Sequence, residues 1–227
     1  MVASARYIVA TAVLEILICS FFLSGCTNRK ATSKKEPVVI HEISDTSFLF
    51  DGKSLDGWEI TNFGPQGPVY VSGDEIILGM GDGCTGITWK RAFPRAGYEV
   101  TLDAKRIAGN DFFCGMTFPV GKNPCSLIIG GWGGATVGLS SIDGKDASGN
   151  ETTTIRNFDK ERWYHIRLIV TEEFIKSWID SIKVVDFKIG TKKLSIRPEV
   201  ELSRPFGIAS WNTTAAIRNI HLRRIEK

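Results

Sequence analysis

The sequence predicts an all-β protein, a sandwich or barrel of short antiparallel strands, and three observations carry that prediction. Several segments alternate apolar and polar residues with a period of two. Clusters of Gly, Pro, Asn and Asp separate them at short intervals, and no stretch sustains a 3.6-residue repeat long enough for a core helix. A parallel α/β fold is excluded on the same grounds. Of the 227 residues 43% are hydrophobic and 23% charged, a globular balance with enough apolar side chains for one large core.

The first element in the chain is not part of that core. Arg6 is followed by seventeen mostly apolar residues, 7–23, interrupted only by Glu15, and then by Leu23-Ser24-Gly25-Cys26. A basic residue, an apolar run and small residues before a cleavage point read as a secretory signal. The stretch resembles the lipobox of bacterial lipoproteins, which implies cleavage before Cys26 and acylation of its thiol. A short transmembrane anchor is the alternative, since seventeen residues stand at the lower edge of a span. Cys26 ends the run where a lipobox puts it, so residues 1–25 are assigned as signal and 26–45 as a lipidated cysteine with a basic tether. Thr27 follows in place of Asp, which by the same resemblance implies no inner-membrane retention. The expected location is the cell envelope, exported and lipid-anchored, with the lipid membrane as a partner.

The formal charge of +3 comes from 28 Lys and Arg against 25 Asp and Glu, and residues 27–40 alone hold Arg29, Lys30, Lys34 and Lys35 against Glu36. The remainder is almost neutral, which excludes the clustered basic face of a nucleic-acid binder.

Within residues 46–227, the segment 98–105 places Tyr98, Val100, Leu102 and Ala104 in one phase and Glu99, Thr101, Asp103 and Lys105 in the other, a half-buried strand. Residues 163–170 repeat the pattern with Tyr164, Ile166, Leu168 and Val170. Residues 174–180 form a hairpin partner beyond Thr171-Glu172-Glu173, and Asp180-Ser181 turns the chain into 183–186. Further β-rich runs lie at 111–118, 125–129, 136–140, 206–211 and 216–225.

On these segments sits a resemblance. Phe48-Leu49-Phe50-Asp51-Gly52-Lys53-Ser54-Leu55-Asp56-Gly57-Trp58 is similar to the opening of the 3-keto-disaccharide hydrolase-like domains. Gly86-Ile87-Thr88-Trp89, Tyr98-Glu99-Val100, Arg162-Trp163-Tyr164-His165-Ile166, Trp178-Ile179-Asp180, Val184-Val185-Asp186 and Arg218-Asn219-Ile220-His221-Leu222 follow in the same order. The resemblance implies a concanavalin-A-like jelly-roll β-sandwich of two antiparallel sheets, carbohydrate as partner, and hydrolysis of 3-keto-glycosides. The chain departs from catalytic members at Gly130-Gly131-Trp132-Gly133-Gly134 and Ser210-Trp211-Asn212-Thr213, so activity does not transfer with the fold. The competing function is a non-catalytic structural or protein-interaction lipoprotein of the envelope.

Sugar sites combine an exposed aromatic ring with carboxylates and amides that bond hydroxyls. Phe206 and Ile208 share a phase, leaving Trp211 on the opposite side over Gly207 and Ala209. Trp132 opposes Leu127 and Ile129 in the same way, while Trp58, Trp89, Trp163 and Trp178 are assigned to packing. Glu199 and Glu201, two apart on an expected strand, form a candidate acid-base pair. Asp111, in phase with Gly115 and Thr117 and opposite Phe112 and Met116, is a candidate sugar ligand, as is Arg204.

No cofactor and no metal are expected. The three His residues show no ligand spacing with cysteine, and residues 143–151, although rich in oxygen, lack the calcium-loop pattern. Residues 79–83, Gly79-Met80-Gly81-Asp82-Gly83, have no following helix and read as a turn. With Cys19 in the signal and Cys26 acylated, Cys84, Cys114 and Cys125 remain. Cys114 and Cys125 both face inward from strands joined by residues 119–124, which predicts a Cys114–Cys125 disulfide with Cys84 free.

Overall fold

A computed structural model describes residues 46–225. The signal, Cys26 and the tether lie outside the described residues. The short strands β1 (Thr46–Phe48), β2 (Trp58–Ile60), β3 (Val69–Ser72), β4 (Glu75–Leu78) and β5 (Cys84–Trp89) open the domain. Then come β6 (Tyr98–Gly109), β7 (Cys114–Val120), β8 (Asn123–Gly131), β9 (Thr136–Ser140), β10 (Thr154–Ile155), β11 (Tyr164–Val170), β12 (Phe174–Ile179) and β13 (Ile182–Lys188). A 3₁₀ turn at Pro198–Ser203 precedes β14 (Gly207–Trp211) and β15 (Thr213–Arg224).

Two antiparallel sheets form a sandwich. One has eight strands in the order β13-β12-β11-β6-β15-β4-β3 with β1 on β15, and the other seven in the order β10-β9-β8-β7-β14-β5-β2. The alternation at 98–105 becomes the centre of the first sheet, where β6 pairs with β11 through Leu102↔Ile166 and with β15 through Ala104↔Ile217. The predicted hairpin is β11–β12, and beyond it Asp180 takes the left-handed conformation (φ 56) of the turn that leads into β13.

Between the sheets, Tyr98, Val100, Leu102, Tyr164 and Ile166 meet Met116, Phe118, Leu127, Ile129 and Ile208, all at most 1% exposed. Phe93 stacks on Phe206 at 4.4 Å, and the buried Tyr98 hydroxyl donates to the Pro119 carbonyl at 2.6 Å.

The opening motif is part of this frame. Leu49 and Phe50 are buried, Asp51 accepts the Lys53 and Ser54 amides at 2.8 and 2.7 Å, and the Trp58 indole donates to the Leu49 carbonyl at 2.6 Å. Gly57 (φ 83) lies so close to the Trp89 ring that a Cβ there would stand 2.6 Å away.

Trp58 and Trp89 pack inside, as expected. Trp163 and Trp178 instead are half-buried on the outer face of the eight-stranded sheet. There Trp163 lies between Lys105 (4.7 Å) and Arg218 (4.1 Å), and Trp178 is covered by Arg167 (4.9 Å).

The expected Cys114–Cys125 disulfide is absent, and both thiols are free and buried. Both side chains do point inward, but Cys114 lies opposite Ile129 and Cys125 opposite Phe118. That register separates the two by four residues along the ladder, roughly 13 Å, far beyond disulfide reach.

Candidate functional site

The inward phase of the seven-stranded sheet is apolar, and its outward phase is small and polar. Cys84 on β5, Ser126 and Ile128 on β8 and Ser140 on β9 form the floor of a cleft of about 270 Å³ on the outer face. One end is closed by the 3₁₀ turn. It comes within touching distance of the sheet because position 207 is glycine, where a Cβ would stand 2.6 Å from the Ser203 carbonyl. Thr88 Oγ1 donates to the Leu202 carbonyl at 3.0 Å and ties the turn down.

Three rings wall the cleft: Phe112, Trp132 and Trp211. Trp211 ends β14, and its amide donates to the Phe112 carbonyl at 3.0 Å. The two rings stand 6.4 Å apart. Trp132 occupies the β8–β9 turn in a left-handed conformation (φ 47) and is 43% exposed. Parity places Trp132 and Trp211 outward but misassigns Phe112. Residues 110–113 bend before β7 begins, so Phe113 enters the core and Phe112 turns out.

The charged wall is Arg197 and Glu199. Arg197 donates to Glu199 Oε1 at 2.7 Å and to Asp146 Oδ2 at 3.1 Å. The Arg197 hydrogen bond holds the Glu199 carboxyl below its ordinary range. Beneath it, burial pushes the Cys84 thiol up to about 12, and the charge of Glu199 adds to the effect.

Asp111 also borders the cleft, but its oxygens are engaged. Oδ1 accepts the Phe112 amide at 2.7 Å and Oδ2 the Gly133 amide at 3.3 Å.

Two expected site residues, Glu201 and Arg204, lie away from the cleft. Glu199 and Glu201 occupy the 3₁₀ turn, not a strand, because Pro198 opens a helical turn there. With three residues per turn, positions two apart point in different directions. Glu199 stays on the cleft, while Glu201 faces solvent and pairs with Arg204, and neither Glu201 nor Arg204 lines the cleft. Arg197 carries no signal in the sequence, since nothing in a single basic residue before a proline marks a site.

A second, more polar cavity of about 470 Å³, bordered by Ser141, Asp146 and Ser195, shares Arg197 and Glu199 as its wall. In the 143–151 loop, Lys192 reaches both Asp143 (3.1 Å) and Glu151 (3.0 Å), a lysine ammonium supplying the positive charge between the acids. Among the described residues no three His, Cys, Asp or Glu side chains are grouped to hold a metal.

The sequence profile of the 3-keto-alpha-glucoside-1,2-lyase-like domain matches residues 45–223, the whole sandwich. The chain belongs to this family. No curated protein matches it. Solved structures similar to this lyase-like domain share its fold at low identity. The Crh5 transglycosylase in complex with NAG superposes with a TM-score of 0.57 at 14% identity, over 81% of this chain and 85% of that one. A Bacillus subtilis protein of unknown function with a galectin-like fold gives 0.53 at 11%, over 76% and 91%. An endo-acting O-glycanase from the human gut microbiota gives 0.51 at 12%, over 79% and 100%. The architecture is thus the jelly-roll sandwich that the resemblance implies.

Proposed function

We propose that the cleft of this lyase-like domain binds a sugar ring and cleaves 3-keto-α-glucosides by elimination. The observation that carries this reading is the meeting of three aromatic rings with one carboxylate, Glu199, held ionised by the Arg197 hydrogen bond. Glycoside hydrolysis ordinarily uses two carboxyl groups on opposite sides of the bond. The other carboxylate at this cleft, Asp111, is engaged by two backbone amides. Elimination needs one base: the ketone at C3 acidifies the C2 hydrogen, and Glu199 takes that proton. The C2–H electron pair then closes the C1=C2 bond as the C1–O bond breaks, and the departing oxygen collects a proton from water. Arg197 has five N–H donors to offer the enolate oxygen, two of them used in the bonds to Glu199 and Asp146.

The test is methyl 3-keto-α-glucoside deuterated at C2. Elimination releases the deuterium and yields a conjugated enone, and Glu199→Gln slows it at least ~100-fold. Methanol release with deuterium retained would identify hydrolysis instead and refute the proposal. Binding without turnover would make the domain a sugar-binding module. Neither binding nor turnover would place the protein in the interaction class.

The chain is further proposed to be exported and held at the cell envelope through acyl chains on Cys26. The apolar run 7–23 and the Leu23-Ser24-Gly25-Cys26 sequence support this.

A further inference from the structure

The inward phase of β6 runs Tyr98, Val100, Leu102, Ala104, and its next member is Arg106, at 5% exposure. A guanidinium pointing into a sandwich interior is costly unless its donors are satisfied. Arg106 crosses from the eight-stranded sheet to the β8–β9 turn of the other, where Nη2 donates to the Gly134 carbonyl at 2.9 Å and the Gly130 carbonyl at 3.4 Å. The Phe113 ring lies 5.2 Å from the guanidinium carbon, while Nε has no hydrogen-bond partner among the described residues. Both acceptors are glycines at positive φ (79 and 106), and a Cβ on Gly134 would stand 2.9 Å from the Asn110 carbonyl. From the solvent side, Asp111 accepts the Gly133 amide. Between these attachments sits Trp132, in a left-handed conformation that L-residues with a Cβ adopt at a cost.

We propose that Arg106 and Asp111 are positioning residues that clamp the 130–134 turn from its two sides and so hold the Trp132 ring in place over the cleft. Their effect on sugar binding rests on the reading of the cleft given above; the clamp itself does not.

The protein is labelled with 5-fluorotryptophan, and the fluorine resonance of Trp132 is identified by its loss in Trp132→Phe. Arg106→Lys and Asp111→Ala should each move the Trp132 resonance toward that of a solvent-exposed indole, leaving those of Trp58 and Trp89 in place. Affinity for methyl 3-keto-α-glucoside should fall about tenfold in each, with no further loss when Trp132→Ala is added. An unmoved Trp132 resonance would overturn the clamp. So would movement of the Trp58 and Trp89 resonances with it, which reports a loosened sandwich. In the unaltered protein the Arg106 Nη protons should exchange slowly with solvent, and rapid exchange would overturn the proposal even if Arg106→Lys does not fold. If the wild type binds no sugar while the fluorine shifts appear, the cleft reading fails and the clamp stands.

Discussion

Removing the Trp132 ring tests whether the cleft holds a sugar by stacking. A tryptophan side chain presents at most about 250 Å², and Trp132 is 43% exposed, leaving roughly 110 Å² open. A pyranose laid on one face takes about half of this. At ~25 cal/mol per Å² the stack contributes about 1.4 kcal/mol, so Trp132→Ala should raise Kd about tenfold. Titration calorimetry with methyl 3-keto-α-glucoside, in a Glu199→Gln background that spares the sugar, measures it. Trp163→Ala is the control: that ring is half-buried on the outer face of the opposite sheet between Lys105 and Arg218, and its loss should leave Kd unchanged. A Trp132→Ala Kd within twofold of the parent would refute the stacking argument, as would equal weakening by Trp163→Ala.

Three further outcomes follow from the charges and thiols. Because the Arg197 hydrogen bond depresses Glu199, the base stays ionised as pH falls and is lost only below the ordinary carboxylate range. Arg197→Ala should move the acid limb of kcat/KM up toward about 4.5, and an unmoved limb would detach Glu199 from the rate. Stability carries the same sign: the contribution of the pair is complete above the unfolded value and is lost as pH falls through the folded one. Burial raises Cys84 and Cys125 to about 12 and Cys114 further still, so Ellman's reagent at pH 8 should leave these three thiols unlabelled until the domain unfolds; rapid labelling would contradict their burial. Cys26→Ala should abolish palmitate incorporation in the expressing cell, and continued labelling would exclude acylation at that residue.

Alternation was informative wherever a long ladder enforces it. At 98–105 and 164–170 the strands run between paired neighbours, so parity dictates which side chains meet the core, and the sequence pattern and the structure agree. Trp211 and Trp132 could be placed outward for a related reason, since apolar neighbours in the opposite phase are held inside. The remaining cleft residues come from segments without a ladder. Phe112 precedes β7 in a bend, and Arg197 and Glu199 flank a proline that starts a 3₁₀ turn. In such segments a period of two has no physical basis, and pairing Glu201 with Glu199 requires it.

The motif most characteristic of the family lies away from the cleft. Leu49, Phe50, Asp51, Gly57 and Trp58 seal one end of the core through a turn, an indole hydrogen bond and a glycine contact. Residues of that kind hold the frame together, so they identify the fold without reporting the chemistry it carries. Arg106 stands between the two groups. It occupies a frame position by parity, yet its hydrogen bonds end on the turn that carries Trp132. A sequence reading that ends the alternation at Lys105 passes over it, because a charge in an inward phase makes sense only once the opposite sheet is in view. Its substitution therefore bears on more than stability: it asks whether the sandwich interior sets the geometry of the face outside it.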